Sequence, residues 1–491
     1  MSLISLDFFI LAGVTVVLYG VIPYKIRWIV LLASSILFYL PLGIRALATM
    51  FFMSGIAFCT GIIIESKPDK SRKRMLVMIL GVMITACWLI LLKLSTAGGW
   101  GSFLFVPLGV SYVSFSLIGY LIDVYWGNEV VERNYLRFLL FALYFPKISQ
   151  GPIVKRRNIA SMLYGGQRIT YTNTCFGLQR MVYGYFKKLV IADRAALYTT
   201  PVLANISAYS GSMIIIAVAL AALQLYCDFS GYMDIIMGYS QILGIKMEEN
   251  FNHPFFSTSA AEFWRRWHIT LGEWFKDYVY TPLVMAPQVK KLGKWGRKKV
   301  GKRFGNSIMK VIALSVVWLL TGFWHGTGIN YILWGIYWGT IIIMSAMCEK
   351  EMNAIVNFLH IKTDTISWKV FRMLRTFAIF WGGILLTNVN SLQDIKIAVY
   401  KVIYEIRIWD VFNGSLYLAG LDKLNFQILS FSLLTVWMIS IAQERVHIRE
   451  AIAGLNAPVR WFLYAVSISI VLLLGIYGEG YSTVGFAYTN F

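Results

Sequence analysis

Long apolar runs without charge recur along the chain, separated by short polar or basic links. They occupy roughly residues 3–23, 27–44, 46–64, 75–92, 103–125, 211–243, 308–324, 329–347, 371–388, 425–443 and 461–478. Each is near or above the length of about 20 residues that an α-helix needs to cross a bilayer. That pattern predicts about eleven spanning helices, with 211–243 longer than one crossing requires. Two further stretches, 136–150 and 173–200, are apolar but interrupted by Pro146 and by Lys187 and Lys188. Backbone broken in this way fits re-entrant or protein-buried segments and raises the count to about thirteen. The chain therefore reads as an all-α polytopic integral membrane protein.

Composition sharpens the picture by exclusion. Of 491 residues, 58% are hydrophobic and 14% charged, and the chain holds 17 Trp, 28 Tyr and 32 Phe. A water-facing surface cannot be built from so few charges, so a soluble enzyme and a disordered chain are both excluded. The five cysteines, Cys59, Cys87, Cys175, Cys227 and Cys348, form no C-x-x-C pair and mostly sit in or beside apolar runs. Neither a disulfide framework nor a metal site is readable from them.

The net charge of +21, from 45 Lys and Arg against 24 Asp and Glu, lies mostly in links between apolar runs. It reads as membrane topology and not as a nucleic-acid surface. The link from Glu65 to Arg74 carries Lys67, Lys70, Arg72, Lys73 and Arg74, and Lys290 to Arg303 carries eight basic residues with no acidic one. Both are expected on the cytoplasmic side, as is the link with Lys25 and Arg27, which leaves the N-terminus outside. The first run, from Leu3 to Tyr24, has no basic residue before it and no small-residue cleavage site, so it is expected to be a retained helix. No repeat or linker divides the chain, which reads as one integral domain over 1–491. The largest polar insert is 245–307, and 390–414 resembles an amphipathic surface helix on the outer side.

The chemistry lies in a few residues. Ser259-Ala-Ala-Glu262 is a capping box that opens a helical stretch, Phe263 to Phe275. At 3.6 residues per turn Trp264, His268, Leu271 and Phe275 form one stripe, while Arg266, Glu273 and Lys276 share another side. An interfacial aromatic helix with a satisfied histidine is one reading; Arg265 and Arg266 beside a buried His268 also suit an anionic ligand. Thr321-Gly-Phe-Trp-His-Gly-Thr-Gly328 ends one run and almost immediately precedes another, which places His325 on a glycine-flanked break at membrane depth. An ionisable group there is a functional candidate, with a histidine hydrogen-bonded between helices as the alternative. An imidazole can take a proton from a hydroxyl and return one to a leaving group, as acyl transfer to an alcohol requires. Gln224 to Asp234 places Asp228, Ser230 and Asp234 inside an apolar span, where the carboxylates must be paired, hydrated or neutral. Helix-to-helix glue is at least as good a reading of them as catalysis. No G-x-S-x-G, H-E-x-x-H, P-loop or intact G-x-G-x-x-G motif is present.

Several blocks together resemble the membrane-bound O-acyltransferases, in particular the bacterial branch containing the membrane subunit of alginate O-acetylation. They are Pro107-Leu-Gly-Val-Ser-Tyr112, Tyr120-Leu-Ile-Asp-Val-Tyr125, Tyr144-Phe-Pro-Lys-Ile-Ser-Gln-Gly-Pro152, Asp228-Phe-Ser-Gly-Tyr232, Phe263-Trp-Arg-Arg-Trp-His268, Asp277-Tyr-Val-Tyr-Thr-Pro282 and Phe323-Trp-His-Gly326. The resemblance covers about residues 100–340 in order and spacing. It implies tilted helices around a thin core with a tunnel, N-terminal helices over 1–100, a catalytic core over 101–347 and C-terminal helices over 348–491. In that family His325 matches the near-invariant histidine and His268 the second polar position. Asp228, Ser230, Asp234, Trp324 and Asn330 would line the core, and Arg265 and Arg266 would meet the donor. The tail Phe486 to Phe491 resembles one whose tyrosine, here Tyr488, relays the acyl group, although Thr489 stands where an aromatic is common. The implied reaction moves an acetyl group from acetyl-CoA toward an extracytoplasmic polysaccharide or wall glycan, in a bacterial cytoplasmic membrane and with a serine-hydrolase-like (SGNH) partner. No metal and no nucleic acid is implied. Alternatives are D-alanyl transfer to teichoic acid from a carrier protein, a secondary transporter of an anionic substrate, and a scaffold without catalysis.

Overall fold

A computed structural model describes residues 2–97, 107–389 and 391–477. Helices dominate it. They include α1 (Leu6–Val21), α2 (Arg27–Tyr39), α3 (Ile44–Glu65), α4 (Arg72–Ala97), α5 (Val110–Trp126), α6 (Tyr135–Leu143), α7 (Tyr171–Tyr185) and α8 (Gly211–Ile242). The chain continues through α9 (Ala260–Arg266), α10 (Ile269–Phe275), α11 (Pro287–Lys299), α12 (Lys302–His325), α13 (Ile329–Met347), α14 (Ile366–Asn388), α15 (Leu392–Tyr404), α16 (Lys423–Gln443) and α17 (Ala457–Leu474). Among the described residues nine helical stretches are long and apolar enough to cross a membrane, and α1 and α5 are shorter apolar helices. Large side chains on α4, among them Leu76, Leu80, Met83 and Leu91, are exposed. A helix that turns such a face outward is at home in lipid and not in water.

Helix starts follow the chemistry of the residue before them. Ser5, Asn134, Thr170, Thr365, Ser391 and Asn456 each accept a hydrogen bond from a backbone N–H in the first turn, which satisfies a donor the helix itself cannot. The expected surface helix over 390–414 is shorter, ending at Tyr404, where the chain leaves for two single 3₁₀ turns. The basic stretch 290–303, read as a link, is mostly helical. Pro287 sits in the first turn of α11, and lysine and arginine are good helix formers once a start is set.

Two compact units divide the chain, one of residues 1–194, 225–248 and 427–491 and one of 195–224 and 249–426. In the first, α1 packs on α2 through the Thr15 and Ser34 hydroxyls, 2.7 Å apart, and α3, α4 and α5 pack on one another. Phe8, Phe38, Phe145 and Tyr239 form an aromatic cluster with ring centroids 5.2–6.4 Å apart. The segment from Phe138 to Val154 is buried throughout, so the Pro146 break lies inside protein, where irregular backbone is tolerated. In the second unit, α12 and α13 form a tight pair. A Cβ on Gly335 would stand 2.6 Å from the Trp318 carbonyl and 3.4 Å from Gly322 Cα, so only glycine permits this approach.

Candidate functional site

The helix expected over Phe263–Phe275 breaks at His268, and the break is built by pairing. Phe251 and Trp267 form an isolated antiparallel bridge. Asn252 N–H donates to the Arg266 carbonyl and Ile269 N–H to the Asn250 carbonyl, both at 3.0 Å. Trp267 is extended, and His268 adopts the left-handed region at φ 47°, ψ 51°. That conformation costs on the order of 1–3 kcal/mol for a non-glycine residue and persists only where its surroundings enforce it. The stripe of Trp264, His268, Leu271 and Phe275 is therefore not one helical face; His268 lies between two helices.

His268 stands at the cap position of α10, yet its side chain makes no cap bond. Asn250 does so instead: its Oδ1 accepts from Thr270 N at 3.0 Å and Thr270 Oγ1 at 2.8 Å. The imidazole is 3% exposed, and burial pushes it down to about 3, so it is neutral at physiological pH.

The capping box is present in shifted form. Ser259 Oγ accepts from Glu262 N at 3.2 Å, while the Glu262 carboxylate accepts from the N–H and hydroxyl of Thr258, both at 2.9 Å. Burial alone would raise this carboxyl, but the Thr258 bonds and the Arg266 charge hold it below its usual range. Arg266 meets Glu262 at 2.8 Å, and Arg265 is exposed. Arg372 and Arg375, on α14, both donate to the Thr258 carbonyl at 3.2 and 3.1 Å.

His325 is the last residue of α12 and is 9% exposed. The break that follows it, at extended Gly326, is the one the glycine pattern predicts. Its ring lies 4.6 Å from Trp324 and 4.7 Å from Trp334, and Tyr331 stacks at 6.5 Å. His268 packs edge-on against the same Trp324 at 6.0 Å. One indole thus touches both histidines. Behind it Trp264 contacts Trp318, Trp334 and Trp338 at 5.0, 5.7 and 4.9 Å. Asn330 is half-buried in the first turn of α13. The signal that would have found Trp334 and Trp338 is their four-residue spacing on one helix face.

Asp228, Ser230 and Asp234 belong to the other unit. Lys188 meets Asp228 at 2.6 Å and Asp193 at 2.9 Å; Lys187 meets Asp234 at 2.5 Å and the Ser230 hydroxyl at 2.9 Å; Arg180 meets Asp234 at 2.8 Å. Three cations and three carboxylates balance. Both lysines sit on the π-helical turn Phe186–Ala192, and their helix crosses α8 closely enough that a Cβ on Gly184 would stand 2.6 Å from the Gly231 carbonyl. The sequence marks these carboxylates as needing partners and shows Lys187 and Lys188 side by side in an apolar run, but nothing local links the two. Tyr488 lies outside the described residues. Among the described residues no cluster of three metal-ligating side chains occurs.

Comparison with known proteins supplies the class. Residues 128–390, which include both histidines, match the model of the membrane-bound O-acyltransferase family. A probable alginate O-acetylase of Pseudomonas syringae is 30% identical over 375 residues, covering 73% of this chain and 67% of the relative. A peptidoglycan O-acetyltransferase of Helicobacter pylori is 30% identical over 265 residues, 48% of this chain and 46% of the relative. A teichoic acid D-alanyltransferase of Bacillus subtilis is 29% identical over 248 residues, 50% of this chain and 60% of the relative. The chain belongs to the membrane-bound O-acyltransferase family. It is a multi-pass membrane enzyme, which displaces the transporter and scaffold alternatives.

Proposed function

We propose that this enzyme moves an acetyl group from cytoplasmic acetyl-CoA to an extracytoplasmic polysaccharide or cell-wall glycan, in a bacterial cytoplasmic membrane and with its N-terminus outside. The observation that carries the reading is the packing of His268 and His325 against the one indole of Trp324, within a stretch that matches an O-acyltransferase family. His325 acts as general base. It takes the proton of the acceptor hydroxyl as the oxygen attacks the thioester carbon, and the intermediate then expels the thiolate, which recovers that proton from the imidazolium. Buried and neutral His268 keeps an N–H with which to polarise the thioester carbonyl. Residues 101–347 form the catalytic core. Tyr488 is the first acceptor in a relay, and a serine-hydrolase-like partner outside the membrane is the next. Arg265 and Arg266 attract donor phosphates.

A second reading, D-alanyl transfer from a carrier protein, is supported by the similarity to teichoic acid D-alanyltransferase. Membranes holding the wild type, His325→Ala or Tyr488→Phe are given labelled acetyl-CoA, and label is followed on protein and secreted glycan. Histidine-dependent labelling is expected, with loss of protein and glycan label in Tyr488→Phe. Intact acetylation in His325→Ala at normal expression overturns the mechanism. Labelling only with D-alanine and its carrier selects the second reading.

A further inference from the structure

The basic helix α11 takes no part in the site. It is joined to α12 by Val300 and Gly301 alone, with Gly301 at φ 98°, so the two helices double back on each other. Their contact is close: a Cβ on Gly296 would stand 3.1 Å from Gly305 Cα, and one on Gly293 would stand 2.8 Å from Met309 Cγ. The spanning part of α12 begins at Ser307. Helix α11 therefore lies beside the head of a candidate membrane span, where an interfacial depth is expected.

The faces of α11 are sorted for that depth. Val289, Gly293 and Gly296 are buried on one stripe. At about 100° per residue, Leu292 and Trp295 follow within about 60° of each other, and Lys291, Lys298, Lys294 and Lys290 occupy the far side. Lys299 falls between Leu292 and Trp295 in that projection, with a stem long enough to carry its charge clear. Leu292 and Trp295 are exposed, 47% and 58%, and so are all five lysines. Arg303 pairs with Glu351, but none of the five lysines has a carboxylate within ion-pair distance among the described residues.

We propose that α11 is an interfacial helix that seats Leu292 and Trp295 among lipid chains and binds anionic phospholipid headgroups with Lys290, Lys291, Lys294, Lys298 and Lys299. Opposite charge favours the headgroups, and a tryptophan and a leucine displayed next to the lysines favour lipid over an acidic soluble protein. Continuity with the α12 span sets the helix at the right depth without further structure.

The test is hydrogen–deuterium exchange of residues 286–303 in the whole protein, in nanodiscs of phosphatidylcholine alone and of phosphatidylcholine with phosphatidylglycerol. Phosphatidylglycerol is expected to slow exchange there by roughly tenfold or more, because each of the five lysines is attracted to an anionic surface. The variant with all five lysines changed to glutamine should lose that dependence while residues 329–347 exchange as in the wild type. Equal exchange in both lipids overturns the proposal. So does protection that appears only when an acidic carrier protein is added, since the helix would then be a protein dock. Acyl transfer is not read, so failure here leaves the proposed reaction standing.

Discussion

Asn250 is the residue on which the His268 geometry depends most. It is fully buried; its carbonyl accepts from Ile269 N, and its Oδ1 accepts from the backbone N–H and hydroxyl of Thr270. Asn250→Ala keeps the first bond and removes the other two. Thr270 is itself 2% exposed, so its N–H loses its acceptor where water cannot replace it. The lost cap and the unmet Thr270 N–H are one and the same bond, and a buried donor left unmet costs about 1–3 kcal/mol; the hydroxyl can rotate, so the whole loss is roughly 1–3 kcal/mol. The His268 side chain makes no cap bond to α10, so it does not stand in for the lost one. The strained backbone of His268 then relaxes and the ring moves. A displacement of about 1 Å at a reacting group lowers turnover by about 100-fold. Thr270→Val keeps the N–H and loses only the hydroxyl bond, so it should cost about 1 kcal/mol and leave most activity. Melting temperature in detergent and single-turnover acyl transfer are measured on both variants. A stable, active Asn250→Ala, or equal losses in the two variants, would refute the clamp.

Other expectations are as concrete. Because burial lowers the folded pKa of His268 to about 3 from about 6.5 unfolded, the unfolded chain binds more protons between those values. Its contribution to stability is complete above about pH 6.5 and falls as the medium is acidified toward about pH 3. Thermal melts from about pH 7.5 to pH 5 should lose less in His268→Asn than in the wild type, and equal slopes would contradict the burial argument. Asp234→Asn removes the carboxylate shared by Arg180 and Lys187 and should destabilise by about 3–5 kcal/mol; an unchanged melting temperature would dissolve the network. Lys147 is 3% exposed, has no hydrogen-bond partner among the described residues and lies 4.0 Å from the Phe141 ring. Lys147→Met should hold or raise the melting temperature, since it removes a buried charge without a carboxylate partner; a fall would show an unseen partner.

What could be read from the sequence follows from how far apart the determinants lie along the chain. His325 was legible because its setting is local: an apolar run ends, glycines follow at 326 and 328, and another run begins. Several helix starts carry the same kind of local mark, as at Ser5, Asn134, Thr170, Ser259, Thr365, Ser391 and Asn456, where the capping residue stands just before the helix. His268 was found as a residue but misplaced as geometry. The pattern from Phe263 to Phe275 has helical period, and the break comes from pairing with Phe251 and Asn250, more than a dozen positions away, which periodicity does not register. Asp228 and Asp234 showed their need for partners, since a carboxylate in an apolar span cannot stand alone, but Lys187, Lys188 and Arg180 are about 40 to 55 residues distant. Helix α11 is hidden for a different reason: its charge reads as a topology signal, and the apolar stripe beneath is mostly glycine, which carries little hydrophobic period. An ionisable residue in an apolar run thus announces that something must satisfy it, while the identity of that something is set by packing between helices. The same reasoning gives the variants above their discriminating power. Changing Asn250 or Asp234 alters a long-range partner and leaves the local pattern intact, so any effect must come from the tertiary contact itself.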